Sequence, residues 1–93
     1  MTQSRLTLII PAYNEEASLP ALLPRVLSFC KKHKHQLILV NDGSRDQTHV
    51  VLKKFASHPN LTIIRHKVNQ GYGAAIKSAL TAAKTTYCIT LDS

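Results

Sequence analysis

The chain has no tryptophan, two cysteines and three glycines in 93 residues, and only 5% of it is aromatic. Each shortage excludes something. Cys30 and Cys88 lack the close spacing of metal or redox motifs and read as buried free thiols. With so little glycine, no P-loop of the form Gly-x-x-x-x-Gly-Lys-Ser/Thr occurs. The turn after the first apolar run reads Pro11-Ala12-Tyr13-Asn14-Glu15, where a dinucleotide-binding unit requires Gly-x-Gly-x-x-Gly. No apolar run approaches the ~20 residues of a membrane span. Met1 to Arg5 leads into a short run without a secretory cleavage pattern, so the expected location is cytoplasmic.

Acid is the scarcest charge: five carboxylates stand against twelve Lys and Arg, giving a net charge of +7 and a pI near 9.8. That balance suits an anionic partner such as a nucleotide, a nucleic acid or an acidic membrane. The placement of the acids is more specific than their number. Glu15 and Glu16 follow the apolar run Leu6–Ile10, Asp42 and Asp46 follow Leu37–Val40, and Asp92 follows Tyr87–Leu91. If those runs are parallel neighbours, all the acids share the carboxyl edge of one sheet, where open α/β sheets bind ligands.

The patterning supports such a sheet. Four runs rich in Ile, Leu, Val and Thr alternate with three segments of helical period, which predicts an α/β fold: a Rossmann-like, doubly wound parallel sheet of about four strands with three helices. Leu19, Leu22, Leu23, Val26, Leu27 and Cys30 form one apolar stripe, with Ser18 as N-cap, Pro20 at N1 and Pro24 awkward one turn in. Lys31, Lys32 and Lys34 close that helix where its dipole favours cations. A second helix is expected over Asp46–Ala56, with Thr48, Val51, Leu52 and Phe55 inward. A third follows Gly71-Tyr72-Gly73 and carries Ile76, Ala79, Leu80 and Ala83 at helical spacing. At 93 residues this is one domain, burying roughly 60 to 65% of its unfolded surface. It ends on a central-type strand with nothing to cover it, so a partial domain is expected over residues 1–93.

Three polar blocks sit at the predicted carboxyl edge. In the first, Pro11 ends the ladder, Tyr13 offers a stacking face, and Asn14 and Glu15 offer hydrogen-bonding groups. In Asn41-Asp42-Gly43-Ser44-Arg45-Asp46, Gly43 permits a tight turn, Ser44 or Asp46 caps the next helix, and Asp42 is available to accept an N–H from a base. Asn69 to Ala75 places Gly71 and Gly73 at a helix entrance, where N–H groups favour phosphate, with Lys77 one turn in. Asp92 is a hard-oxygen ligand suited to Mg2+ or Mn2+.

Taken together, Pro11–Glu15, Asn41–Asp46, Asn69–Ala75 and Leu91-Asp92-Ser93 resemble the family 2 glycosyltransferases, over Leu6 to the last residue. The wording Gly-x-Gly-Ala-Ala-x-Lys is most similar to the branch that glycosylates polyprenyl or dolichyl phosphate. The resemblance implies the N-terminal, nucleotide-sugar-binding half of a GT-A domain. Pro11, Ala12, Tyr13 and Glu15 would border the nucleoside, with Glu15 on the ribose hydroxyls and Asp42 reading the base. Gly71, Gly73 and Lys77 would line the site, and Asp92 would begin an Asp-x-Asp motif holding the metal-bound diphosphate.

By the same resemblance the donor is a UDP- or GDP-sugar and the acceptor a polyprenyl phosphate at a membrane surface. Acceptor binding and general-base chemistry would lie beyond this chain, which supplies no catalytic residue of its own and is expected to bind nucleotide without turnover. Three positions depart from the pattern: Thr85-Thr86 stands where relatives often have Gly-Asp, Tyr72 where they often have lysine, and Ala79 where they often have glycine. A sugar nucleotidyltransferase would carry a glycine-rich, arginine-containing first loop, which is absent here. The rival readings are a non-enzymatic anion-binding module and an inactive remnant. No basic motif with interleaved aromatics favours a nucleic-acid partner.

Overall fold

The structure is a computed structural model that describes residues 6–92. Met1 to Arg5, on which the leader reading rests, and Ser93 of the Leu91-Asp92-Ser93 block lie outside the described residues. Seven elements alternate among them: β1 (Thr7–Ala12), α1 (Leu19–His33), β2 (Gln36–Asp42), α2 (Thr48–Lys53), β3 (Leu61–His66), α3 (Tyr72–Ala82) and β4 (Cys88–Thr90). Every strand pairing is parallel and the order is β3-β2-β1-β4. The expected α/β sheet of four strands and three helices is therefore present.

Both faces of the central strands are apolar because both are covered. On one face Leu8, Ile10, Leu37 and Leu39 pack against Leu19, Leu23, Leu27 and Cys30 of α1 and Leu52 of α2. On the other, Ile9, Ile38 and Val40 meet Ala75 and Ala79 of α3. Small alanines there let the α3 backbone lie close to the strands. Burial raises the pKa of the Cys30 thiol, as its core position requires, while Cys88 is half-buried and also free.

Several local expectations change. Ser18 takes helical backbone angles and caps no N–H; its hydroxyl donates to Glu15 Oε2 instead. Pro24 lies inside α1 and Lys34 ends the helix in the left-handed region at φ 61°. Helix α2 is shorter than Asp46–Ala56, because the Asp46 side chain receives the Thr48 N–H at 2.9 Å and so sets the start at Thr48. Past Lys53 the chain tightens into i→i+3 bonds, Phe55 N–H to Leu52 O and His58 N–H to Phe55 O. Helix α3 begins at Tyr72, and Leu80, one of the residues at helical spacing, is 52% exposed.

The strand expected over Tyr87–Leu91 is Cys88–Thr90, with one further bond at each end: Thr7 N–H to Tyr87 O and Leu91 N–H to Ile9 O. It is an edge strand among the described residues, and Ile89 is exposed. At the position where relatives are expected to carry glycine, Thr85 links β1 to the start of β4. Its hydroxyl meets Thr7 Oγ1 at 2.7 Å and donates to the Tyr87 carbonyl. No helix among the described residues is long and apolar enough to cross a membrane.

Candidate functional site at the carboxyl edge

Connections β1→α1→β2→α2→β3 move the chain one way across the sheet, and β3→α3→β4 carries it back past β1 to the other side. The reversal opens a crevice at the carboxyl ends of β1 and β4. Pro11 does not end the ladder, since Pro11 and Ala12 still pair with Val40 and Asn41; with Tyr13 they lie at the β1 side of the crevice, and Asp92 lies just past β4. Asp42 closes β2, the strand on the other flank of β1. Strand spacing sets the backbones of β2 and β4 roughly 10 Å apart across β1. The parallel sheet thus delivers Glu15, Asp42 and Asp92 to one edge.

Two loops of that edge are joined by short polar side chains. Asn14, left-handed at φ 54°, accepts the Arg45 N–H on Oδ1 at 2.8 Å, while its own N–H goes to Ser44 Oγ at 3.0 Å. Thr48 is fully buried and accepts the Glu15 N–H at 2.9 Å, and its hydroxyl donates to Asp46. The second Asp46 oxygen receives the Glu16 N–H. Desolvation raises the Asp46 pKa, but the bonds from Thr48 and Glu16 outweigh it and hold this carboxyl below the usual aspartate value.

A third loop is held by Asp42, which is 4% exposed. Its Oδ1 accepts the Gln70 N–H at 2.9 Å and the His66 Nδ1–H at 2.8 Å. Its Oδ2 accepts the Gly71 N–H at 2.9 Å and the Asn69 amide at 3.3 Å. A carboxylate offers about four acceptor sites, and the chain's own donors fill them. Burial raises the Asp42 pKa; the His66, Gln70 and Gly71 bonds lower it by more, so it titrates below an ordinary aspartate. The sequence points Asp42 at a base; as folded its oxygens accept from donors of its own chain. Its carboxylate acts where an anion would at the entrance of α3.

The glycines then separate. The sequence turns Gly71 toward phosphate, yet its N–H is committed to Asp42, and its requirement for glycine is conformational, at φ 96°. Gly43, at φ 67°, is needed twice over, because a Cβ there would lie 2.2 Å from the Asn69 nitrogen. Gly73 is needed by neither argument: it lies in the first turn of α3, and a Cβ would meet nothing within 4 Å. Four residues on, Lys77 shares its exposed face, while Ala75 and Ala79 take the sheet side.

Tyr13 is 41% and Tyr72 59% exposed at this edge. Glu15 is half-buried and gives one oxygen to Ser18. Asp92 is exposed and makes no hydrogen bond with the described residues. Among the described residues no three His, Cys, Asp or Glu side chains gather as a metal cage. Mg2+ is commonly held by one or two carboxylates together with substrate phosphates, and the donor chemistry of Asp92 fits that mode. His66, which no sequence motif marks, is the residue that ties the end of β3 into the edge. A separate hollow of about 720 Å³ lies at the opposite, amino edge, lined by Thr7, Gln36, Thr62, Lys84, Thr85 and Tyr87 among others. It contains none of the carboxylates.

Comparison with known proteins places these features in a family context. The family model described as Glycosyl transferase family 2 matches residues 7–93. Dolichyl-phosphate beta-glucosyltransferase ALG5A of Trichomonas vaginalis is 35% identical, over 94% of this chain and 29% of that protein. Undecaprenyl-phosphate 4-deoxy-4-formamido-L-arabinose transferase of Pectobacterium atrosepticum is 41% identical, over 92% of this chain and 28% of its own length. Among solved structures, S. aureus TarS 1–349 in complex with UDP-GlcNAc superposes with a TM-score of 0.81 at 27% identity, over 95% of this chain and 26% of that one. Mannosyltransferase PcManGT from Pyrobaculum calidifontis, in complex with GDP-Man and Mn2+, gives 0.74 at 26% identity, over 90% and 26%. The chain therefore spans less than a third of the length of these proteins.

Proposed function

The chain belongs to glycosyl transferase family 2, and from that premise we propose that its carboxyl edge is the donor-nucleotide half of an enzyme transferring a sugar from a UDP- or GDP-sugar to a polyprenyl phosphate. The observation that carries this reading is that three polar loops are tied to one another at the carboxyl edge of the sheet. Support for the donor comes from structural neighbours that hold UDP-GlcNAc or GDP-Man, and for the acceptor from relatives named for dolichyl or undecaprenyl phosphate. In this reading the enzyme works at a membrane surface, where such acceptors reside.

In this reading Pro11, Ala12 and Tyr13 border the nucleoside, with the Tyr13 ring as a stacking face. Glu15 accepts from the ribose hydroxyls through the oxygen that Ser18 leaves open. The diphosphate lies against the first turn of α3, where Gly73 lets it approach the backbone, and Lys77 offers positive charge along the same face. Asp92 would help hold Mg2+ or Mn2+, which when bound supplies Lewis-acid neutralisation of charge on the departing diphosphate. Asp42 serves the site by fixing Gln70 and Gly71. Acceptor binding and proton transfer belong to regions outside this chain, so residues 1–93 bind nucleotide and do not turn it over.

The test is a paired assay on the purified chain. Binding of UDP or GDP in preference to ADP, with no sugar transfer to a polyprenyl phosphate, is the expected result. Equal binding of all three that fades together as salt rises would reduce the site to nonspecific anion attraction.

A further inference from the structure

The site described above leaves one connected line of side chains without a function. His66, at the carboxyl end of β3, has Nδ1 2.8 Å from Asp42 Oδ1 and Nε2 2.8 Å from Ser78 Oγ in α3. Its side chain is 9% exposed and that of Asp42 is 6% exposed. Asp42 and His66 are also register partners across β2 and β3. Because a carboxylate only accepts, the proton must sit on Nδ1. Ser78 then fixes the other end of the ring, as donor or acceptor.

The order Asp, His, Ser copies a nucleophilic triad, but Ser78 lies inside α3. The surrounding N–H groups are committed to the helix, and no oxyanion donors are left beside it. Chemistry at Ser78 is therefore not what the line is for. Its effect is mechanical. Asp42 has a short side chain at the end of a strand, and only a fixed carboxylate plane presents both oxygens to the Gln70 and Gly71 N–H groups at once. The His66 ring fixes that plane, and Ser78 anchors the ring to the helix whose first turn is being placed.

We propose that His66 is a positioning residue for the donor nucleotide: by clamping Asp42 between β3 and α3 it sets the Gln70-Gly71 backbone and so the first turn of α3 against the diphosphate. The diphosphate half of this statement rests on the function proposed above. The clamp itself does not, because it is read from the loop amides.

Substitutions that keep one ring nitrogen's role at a time make the test. Asparagine places an amide N–H near the position of Nδ1, whereas glutamine places one near Nε2. In His66→Asn, hydrogen-exchange protection of the Gly71 amide and the affinity for UDP and GDP should stay within about twofold of the parent chain, since the Asp42 bond is rebuilt. In His66→Gln both should fall about tenfold, with β1 and β2 amides unchanged. If His66→Gln does not fold, Ser78→Ala reads the line from its far end, with an expected loss of about threefold in Gly71 protection.

Unchanged Gly71 protection in His66→Gln, or in Ser78→Ala where that variant is the one read, would overturn the clamp. Lost protection with unchanged nucleotide affinity would overturn the positioning role while leaving the clamp in place. Failure of the parent chain to bind either nucleotide would overturn the donor-site reading, and with it the diphosphate half alone.

Discussion

Gly43 lies so close to Asn69 that a Cβ built on it would come within 2.2 Å of the Asn69 nitrogen and 2.3 Å of the Val68 carbonyl carbon. The neighbours are backbone, so they have no rotamer by which to move aside. The β2–α2 turn and the β3–α3 loop are thereby set against each other, which is the contact that makes one mouth of two loops.

Gly43→Ala should consequently be among the most damaging single-methyl changes in the chain. A left-handed alanine costs about 1–2 kcal/mol, and overpacking against a fixed backbone adds about 1–3 kcal/mol. Urea denaturation should show a loss of about 3 kcal/mol, with nucleotide binding falling in parallel. A loss under about 1 kcal/mol would mean that the two loops are not in contact.

Gly73→Ala should do the reverse to the fold. The residue is helical, its Cβ would meet open space, and alanine is better than glycine in a helix by about 1 kcal/mol. A gain in thermal midpoint together with weaker binding of UDP or GDP is the expected pair of results. Unaltered affinity would show that no ligand approaches this turn.

The Asp42 carboxyl makes stability depend on acid. Its pKa is lower in the folded chain than in the unfolded one, so the unfolded chain takes up the proton first. The contribution is complete above the ordinary aspartate value and is lost as pH falls through the lower folded value. Urea midpoints measured from about pH 5 down to about pH 2 should therefore drop less in Asp42→Asn than in the parent chain. Equal drops would place the acid sensitivity elsewhere, with Asp46 the next candidate.

Periodicity made most of the scaffold legible. The α1 stripe through Leu19, Leu23, Leu27 and Cys30 packs where its spacing put it, because a helix on a sheet has one buried face and the pattern records that face. Leu80 broke the same rule. In α3 the contact with Ile9, Ile38 and Val40 is made by Ala75 and Ala79, so the spacing caught Ala79 but missed Ala75 and took in the exposed Leu80.

Placement of the acids at or just past the carboxyl ends of the strands was legible too, since it needs only the direction of each strand. What a given acid does there was less so. Asp42 looks available in the sequence because the donors that occupy it come from His66, Asn69, Gln70 and Gly71, between 24 and 29 positions away. The Asp42–His66–Ser78 line has no period or motif, since three separate elements bring it together. A polar residue at the end of β3, directly opposite Asp42 in register, was its one trace.

The most direct measurement of the central claim is an NMR titration of the 15N-labelled chain with UDP and with GDP in the presence of Mg2+, using ADP as control. Perturbed amides should cluster in 11–16, 69–74 and around Asp92, with a preference for one of the two nucleotides over ADP. Shifts spread over Lys31, Lys32, Lys34, Lys53, Lys54 and Lys84, alike for all three nucleotides and erased by salt, would contradict it.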